Sequence, residues 1–218
     1  MTASATTDFL SRLGSQPWLT DGGLETHMVF HEGIDLPQFA SFPLLRQARG
    51  RQALERYFSG FLDEAEDLGL GFVLDTATWR ASAGWGARMG WSAEAIDAVN
   101  REAVAFAKAL QQGRSAPTVV NGVIGPHGDA CRPDEVLTSD GAEAYHRRQI
   151  AVLAEAGVDV VSAYPAELAL DYAALRQRLP RLRVVGGCCG TDLRMSPPSD
   201  GALPTGRDGD IPTWTLPQ

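Results

Sequence analysis

No apolar run in this sequence approaches the roughly 18 residues that span a bilayer, and the start, MTASATTDFLSRLG, has neither a charged leading segment nor a long apolar one. A membrane helix and a secretory leader are therefore not expected, and the chain reads as cytoplasmic. Positive charge is also in short supply. Lys and Arg number 19 against 27 Asp and Glu, for a formal charge of −8, and the four histidines are scattered. Phosphate backbones and anionic membranes attract basic stripes, which are missing, so neither nucleic acid nor membrane is an expected partner. Cysteine is scarce: Cys131, Cys188 and Cys189 are odd in number, two are adjacent, and no Cys-x-x-Cys occurs. That excludes a disulfide framework and leaves metal binding or thiol chemistry in a reducing compartment.

What is present suits one globular domain. The 218 residues are 44% hydrophobic and 21% charged, enough apolar material for a sizeable core. Trp18-Leu19-Thr20 reads as a short strand leaving through Asp21-Gly22-Gly23. Apolar residues at helical spacing predict a helix over residues 52–68, stopped by Gly69. Phe72 to Thr76 repeats the strand pattern. A second helix is predicted from Ala93 to Leu110 with Ser92 as its N-cap. A third strand, Thr118 to Ile124, ends at Gly125-Pro126; a helix follows from Ala142 to Ala156, stopped by Gly157. A fourth strand spans Val158 to Val161, and a last cycle runs from a helix at residues 166–179 to a strand at Arg183 to Val185. Alternating strands and helices with short connections imply parallel strands and right-handed crossovers. Five such units are present, whereas a closed (β/α)8 barrel has eight and typically about 250 residues. Residues 195–218, rich in Pro, Gly and Asp, read as a loose tail behind a domain of residues 1–194.

In parallel βα folds chemistry gathers where strands end at their carboxyl side. The Gly186-Gly187-Cys188-Cys189-Gly190 exit offers two thiolates to one soft metal ion such as zinc, or else two buried, inert cysteines. At the first exit, Asp21 could bind an ammonium and the amides of Gly22 and Gly23 a carboxylate, together an amino-acid head group. The competing reading is a glycine turn whose aspartate caps the next segment. Asp75 and Thr76 read as strand-end turn residues, and His27, His31 and His146 as surface or packing groups.

Asp21-Gly22-Gly23-Leu24-Glu25-Thr26, Leu74-Asp75-Thr76-Ala77-Thr78-Trp79-Arg80-Ala81-Ser82, Gly125-Pro126-His127-Gly128-Asp129, Ala144-Tyr145-His146 and above all Gly186-Gly187-Cys188-Cys189-Gly190-Thr191-Asp192 stand in an order that resembles the homocysteine S-methyltransferase family. The resemblance covers about Leu19 to Arg194. It implies a (β/α)8 barrel of the TIM type in which three cysteines hold zinc, and methyl transfer from a sulfonium or ammonium donor to the thiol of homocysteine, giving methionine. The donor would be S-methylmethionine, S-adenosylmethionine or a betaine-like compound.

By the same resemblance, Asp21, Gly22 and Gly23 hold the amino-acid end of homocysteine, and Cys188 and Cys189 are two zinc ligands. The third cysteine belongs to an Asn-Cys motif that this chain does not contain. Strands 5 to 7 of the barrel drop out together near residues 163–165, and the family's closing helix has no counterpart after Met195. Cys131 or His127, after the third strand, would have to replace the missing ligand, and the expected activity of this chain is low. Two rival readings accompany this one: a non-catalytic remnant whose sheet edges pair with another chain, and a thiol redox protein using Cys188 and Cys189.

Overall fold

The apolar runs pair side by side into one parallel sheet, whose middle strands are buried on both faces so that their backbone must find partners there. The structure is a computed structural model describing residues 17–128, 137–163 and 184–185. The strands are β1 (Trp18–Thr20), β2 (Gly71–Asp75), β3 (Thr118–Ile124), β4 (Val160–Ala163) and β5 (Val184–Val185), in the spatial order β4-β3-β2-β1-β5. All four pairings are parallel, with Trp18 opposite both Gly71 and Val184. The last of the described strands thus lies beside the first, as the two ends of a barrel sheet do when it closes. All seven residues of β3 are buried.

The helices follow their strands. α1 (Leu24–Phe30) leaves β1; two 3₁₀ turns, Pro37–Phe39 and Phe42–Arg46, lead to α2 (Ala48–Leu68); α3 (Ala83–Arg88) and α4 (Ala93–Gln111) follow β2; α5 (Ser139–Ala156) follows β3. The buried stripe of α2, including Leu54, Tyr57, Phe58, Phe61 and Leu62, packs with Phe72 and Leu74 of β2 and with Val99 and Phe106 of α4 in one core. Gly69 ends α2 in the left-handed conformation, φ 66°, where its amide meets the carbonyls of Ala65 and Glu66. Ser92 caps α4 by accepting from the Ala95 amide at 3.2 Å.

The structure corrects several boundaries. α2 begins four residues before Gln52. α5 begins at Ser139 because Thr138, not a later residue, caps it by accepting from the Gly141 amide. β4 begins at Val160 instead of Val158, since Asp159 is bound to β3 at the helix exit: its amide donates to the Val120 carbonyl and its carboxylate accepts from the Val120 amide, both at 2.9 Å. α1 and α3, of seven and six residues, are too short to leave a helical period in the sequence. The helix expected at 166–179, the tail and the domain boundary at residue 194 lie outside the described residues. Among those described, no helix is long and apolar enough to cross a membrane.

Gly71 makes the β1–β2 register possible. A Cβ on it would lie 2.4 Å from the Trp18 ring, which is 1% exposed. We expect Gly71→Ala to destabilise the chain by about 1–3 kcal/mol in urea denaturation, the usual cost of overpacking a core. A change within about 0.3 kcal/mol would mean that Trp18 is not held against β2.

Candidate functional site

The carboxyl ends of β1, β2, β3 and β4 converge on a cluster of acids. Asp21, one residue beyond β1, is buried at 4% exposure. It does not cap α1: the N-cap position is Gly23, with no side-chain cap bond. Glu25, in the first turn of α1, accepts from the Ser41 hydroxyl at 2.7 Å. The Tyr57 hydroxyl from α2 comes up against Asp21 and the Gly22 amide without completing a hydrogen bond of ordinary geometry. Asp75, at the end of β2, takes a bond from Asn121 Nδ2 of β3 at 2.7 Å and meets the Asp21 carboxyl side chain to side chain. The same Asn121 nitrogen donates to Ser162 Oγ of β4 at 2.7 Å.

Beneath these, the second exit is fixed by hydroxyls. Thr76 and Thr78 share a hydrogen bond of 2.7 Å, Thr78 donates to the Val123 carbonyl, and Thr76 accepts from the Val123 amide. Electrostatics follow from the crowding. Burial, then the Asp75 charge, hold the Asp21 carboxyl well above the ordinary carboxylate range, with Tyr57 offsetting part of the rise. Burial pushes Asp75 up to about 6 against the bonds from Asn121 and Asp21. Burial raises Glu25 too, eased by Ser41 and by the positive charge of Arg80. Burial and the neighbouring acids drive the Tyr57 phenol far up, so it stays a neutral hydroxyl.

Of the residues singled out in the sequence, Asp21, Gly22 and Gly23 lie at this cluster. Asp75, expected to be a turn residue, is instead its second carboxyl. Glu25, Tyr57, Asn121 and Ser162 were not anticipated. His27 stacks on His31 at 5.0 Å and touches Tyr57 at 4.9 Å, the packing role expected of it. His127, past the end of β3, and His146 each pack edge-on against Tyr145, at 4.7 and 4.9 Å. Cys131, Cys188 and Cys189 lie outside the described residues; β5 ends three residues before Cys188. Among the described residues no group of three His, Cys, Asp or Glu could hold a metal ion.

A parallel α/β sheet with acids at its carboxyl edge defines an enzyme-like fold of the (β/α)8 class, five strands of which are described. The family model for homocysteine S-methyltransferase matches residues 18–179, and the chain belongs to that family. The matched span holds Asp21, Asp75 and Asn121 and ends before Cys188. The metallated form of the homocysteine methyltransferase MmuM from Escherichia coli shares the fold with a TM-score of 0.57 at 20% identity, over 83% of this chain and 65% of that one. Its oxidized form gives 0.58 at 22% identity, over 88% and 70%. The chain thus spans about two thirds of the MmuM length. No curated protein matches the chain.

The raised Asp75 carboxyl has a measurable consequence. Folding lifts it from 3.8 to about 6, so the folded chain binds that proton more tightly than the unfolded one. The resulting stability is complete below about pH 4 and is lost as pH rises through about 6. Asp75→Asn escapes that loss. The variant's advantage over the parent should grow by about 1–3 kcal/mol between about pH 4.5 and about pH 8 in urea denaturation. A gap that stays constant with pH would show that Asp75 is not buried against Asp21.

Proposed function

We propose that the chain carries out zinc-dependent transfer of a methyl group to the thiol of homocysteine, giving methionine, from a sulfonium or ammonium donor such as S-methylmethionine, S-adenosylmethionine or a betaine. Support comes from the family and from one observation: a buried carboxyl, Asp21, next to a glycine turn at the carboxyl edge of a parallel sheet. An α-ammonium is the ligand that such a carboxyl suits, and the Gly22 and Gly23 amides suit the α-carboxylate. With the head group held there, the side chain of homocysteine is directed along the edge of the sheet. Cys188 and Cys189 would hold zinc, which when bound supplies positive charge that lowers the pKa of a neighbouring thiol. The helices packed around the sheet exclude water from the cluster, and the Asp21 charge fixes the amino end while the sulfur reacts.

One observation favours a second reading. The chain spans 65% of the metallated MmuM and has no Asn-Cys, so a non-catalytic remnant of the family is the alternative. Zinc content separates the two. The purified chain is expected to carry about one zinc, lost in the Cys188→Ser, Cys189→Ser double variant, because removing thiolates leaves no catalytic set of three ligands. Methionine formation from homocysteine with each donor should fall at least about a hundredfold in that variant. A folded chain with neither zinc nor methionine formation supports the remnant. Zinc in the parent sends the search for its third ligand to Cys131 and His127.

A further inference from the structure

The 3₁₀ turn Pro37–Phe39 is an arch with buried feet and a strained crown. Leu36 and Ala40, on either side of it, are 6% and 1% exposed. Between them, Gln38 and Phe39 are the only non-glycine residues with positive φ among the described residues, at 56° and 55°. The left-handed region costs an L-residue free energy, and two such residues in succession persist only where something outside the turn holds them. The turn's own bonds run from the Phe39 amide to the Leu36 carbonyl at 2.8 Å and from the Ala40 amide to the Pro37 carbonyl at 3.2 Å. The Gln38 carbonyl points elsewhere and accepts from Arg80 Nη1 at 2.6 Å. Arg80 follows the β2 exit, and its guanidinium is fixed between two indoles: Cζ lies 3.9 Å from the centre of the Trp85 ring and 4.7 Å from that of Trp79. Both indoles are anchored to the β3 exit. Trp85 Nε1 donates to the Pro126 carbonyl at 3.0 Å. Trp79 fits because Gly125 has no side chain; a Cβ there would lie 2.2 Å from the Trp79 carbonyl oxygen and 2.7 Å from its ring.

We propose that Arg80 is a positioning residue: it holds the Pro37–Phe39 arch in its strained form and, through the arch, one wall of the homocysteine site. This rests on the reading of the acid cluster as that site and adds the device that keeps its wall in place. The arch runs on into Ser41, whose hydroxyl donates to Glu25 in the first turn of α1 at 2.7 Å. It therefore ties α1, which follows the β1 exit, to the exits of β2 and β3. An arch freed of Arg80 relaxes to negative φ. The wall beside Glu25 is then lost from the bound state and the transition state alike, so binding weakens while the chemical step keeps its rate. Lysine cannot replace Arg80, since it keeps the charge but lacks the flat guanidinium that stacks on both rings. Glycine at position 38 can compensate, because it takes the left-handed form without steric cost.

Hydrogen exchange at the Phe39 and Ala40 amides, with titration calorimetry of the full chain against L-methionine, tests this; methionine carries the head group of homocysteine. Arg80→Ala and Arg80→Lys should each speed exchange at those amides at least about tenfold and weaken methionine binding about tenfold. Gln38→Gly alone should leave the methionine affinity within about twofold of the parent, and added to Arg80→Ala it should restore that affinity to within about threefold. A residue that only stabilises the fold would not be rescued in this way by a backbone change in the arch. In methionine formation from homocysteine, the two Arg80 variants should raise KM about tenfold and keep kcat within about twofold. Unchanged exchange in Arg80→Ala, parental affinity in Arg80→Lys, a loss that Gln38→Gly does not relieve, or a fall in kcat at constant KM would overturn the proposal. The expected exchange and binding pattern in a chain that never methylates homocysteine sinks the methyltransferase reading and leaves the role of Arg80 standing. Methionine formation by Arg80→Ala at the parental KM does the reverse, and a parent chain that binds neither amino acid sinks both.

Discussion

β1 is three residues long, and everything at the carboxyl edge hangs on its register. It lies between β2 and β5, with Trp18 opposite Gly71 on one side and Val184 on the other. Because strand side chains alternate, a slip of one residue would send Asp21 to the opposite face of the sheet and separate it from Asp75. So short a ladder has few hydrogen bonds to resist such a slip. What resists it is shape: the buried Trp18 ring fills the space a side chain on Gly71 would need, and no neighbouring residue of β2 leaves that space. An indole and a missing methyl group thus set which carboxyls meet.

From that register the buried acids follow, and they are hard to understand as folding devices. A buried carboxyl costs free energy unless it is paired or bonded, and replacing such groups with neutral ones is often stabilising. Here Asp21, Asp75 and Glu25 sit together, relieved mainly by hydroxyls and one amide. The core beneath, built from α2, β2 and α4, needs none of them, since Phe58, Leu62, Phe72, Leu74 and Val99 are packed without reference to the acids. The expense is local to the strand ends, where ligands bind in parallel sheets.

The strands and long helices were legible because their signal is periodic and their stops are chemical: Gly69, Ser92 and Gly157 mark ends that the structure keeps. Asp21 was legible as a candidate because a glycine turn after a strand is a local pattern. Asp75 was not, since an aspartate at a strand end is an ordinary turn residue unless another carboxyl faces it, and that facing crosses from β1 to β2. Tyr57 and Asn121 were more deeply hidden. Tyr57 occupies a core position on the apolar stripe of α2, and only its terminal oxygen reaches the acids. Asn121 interrupts the apolar run of β3, a local anomaly whose meaning depends on having Asp75 and Ser162 on either side.

The cysteine pair poses the opposite case, a strong motif whose neighbourhood has to be inferred. β5 lies beside β1 and parallel to it, so Val185 ends at the same edge of the sheet as Asp21. That adjacency does not require the intervening barrel strands, because in a closed barrel the first and last strands are neighbours whatever lies between them. Loss of middle units therefore removes whatever those units contribute, a third thiolate included, and leaves the β1–β5 seam intact. On this account the acid cluster, which draws on β1 to β4, and the thiol pair, which follows β5 in the sequence, are separable parts of the chain.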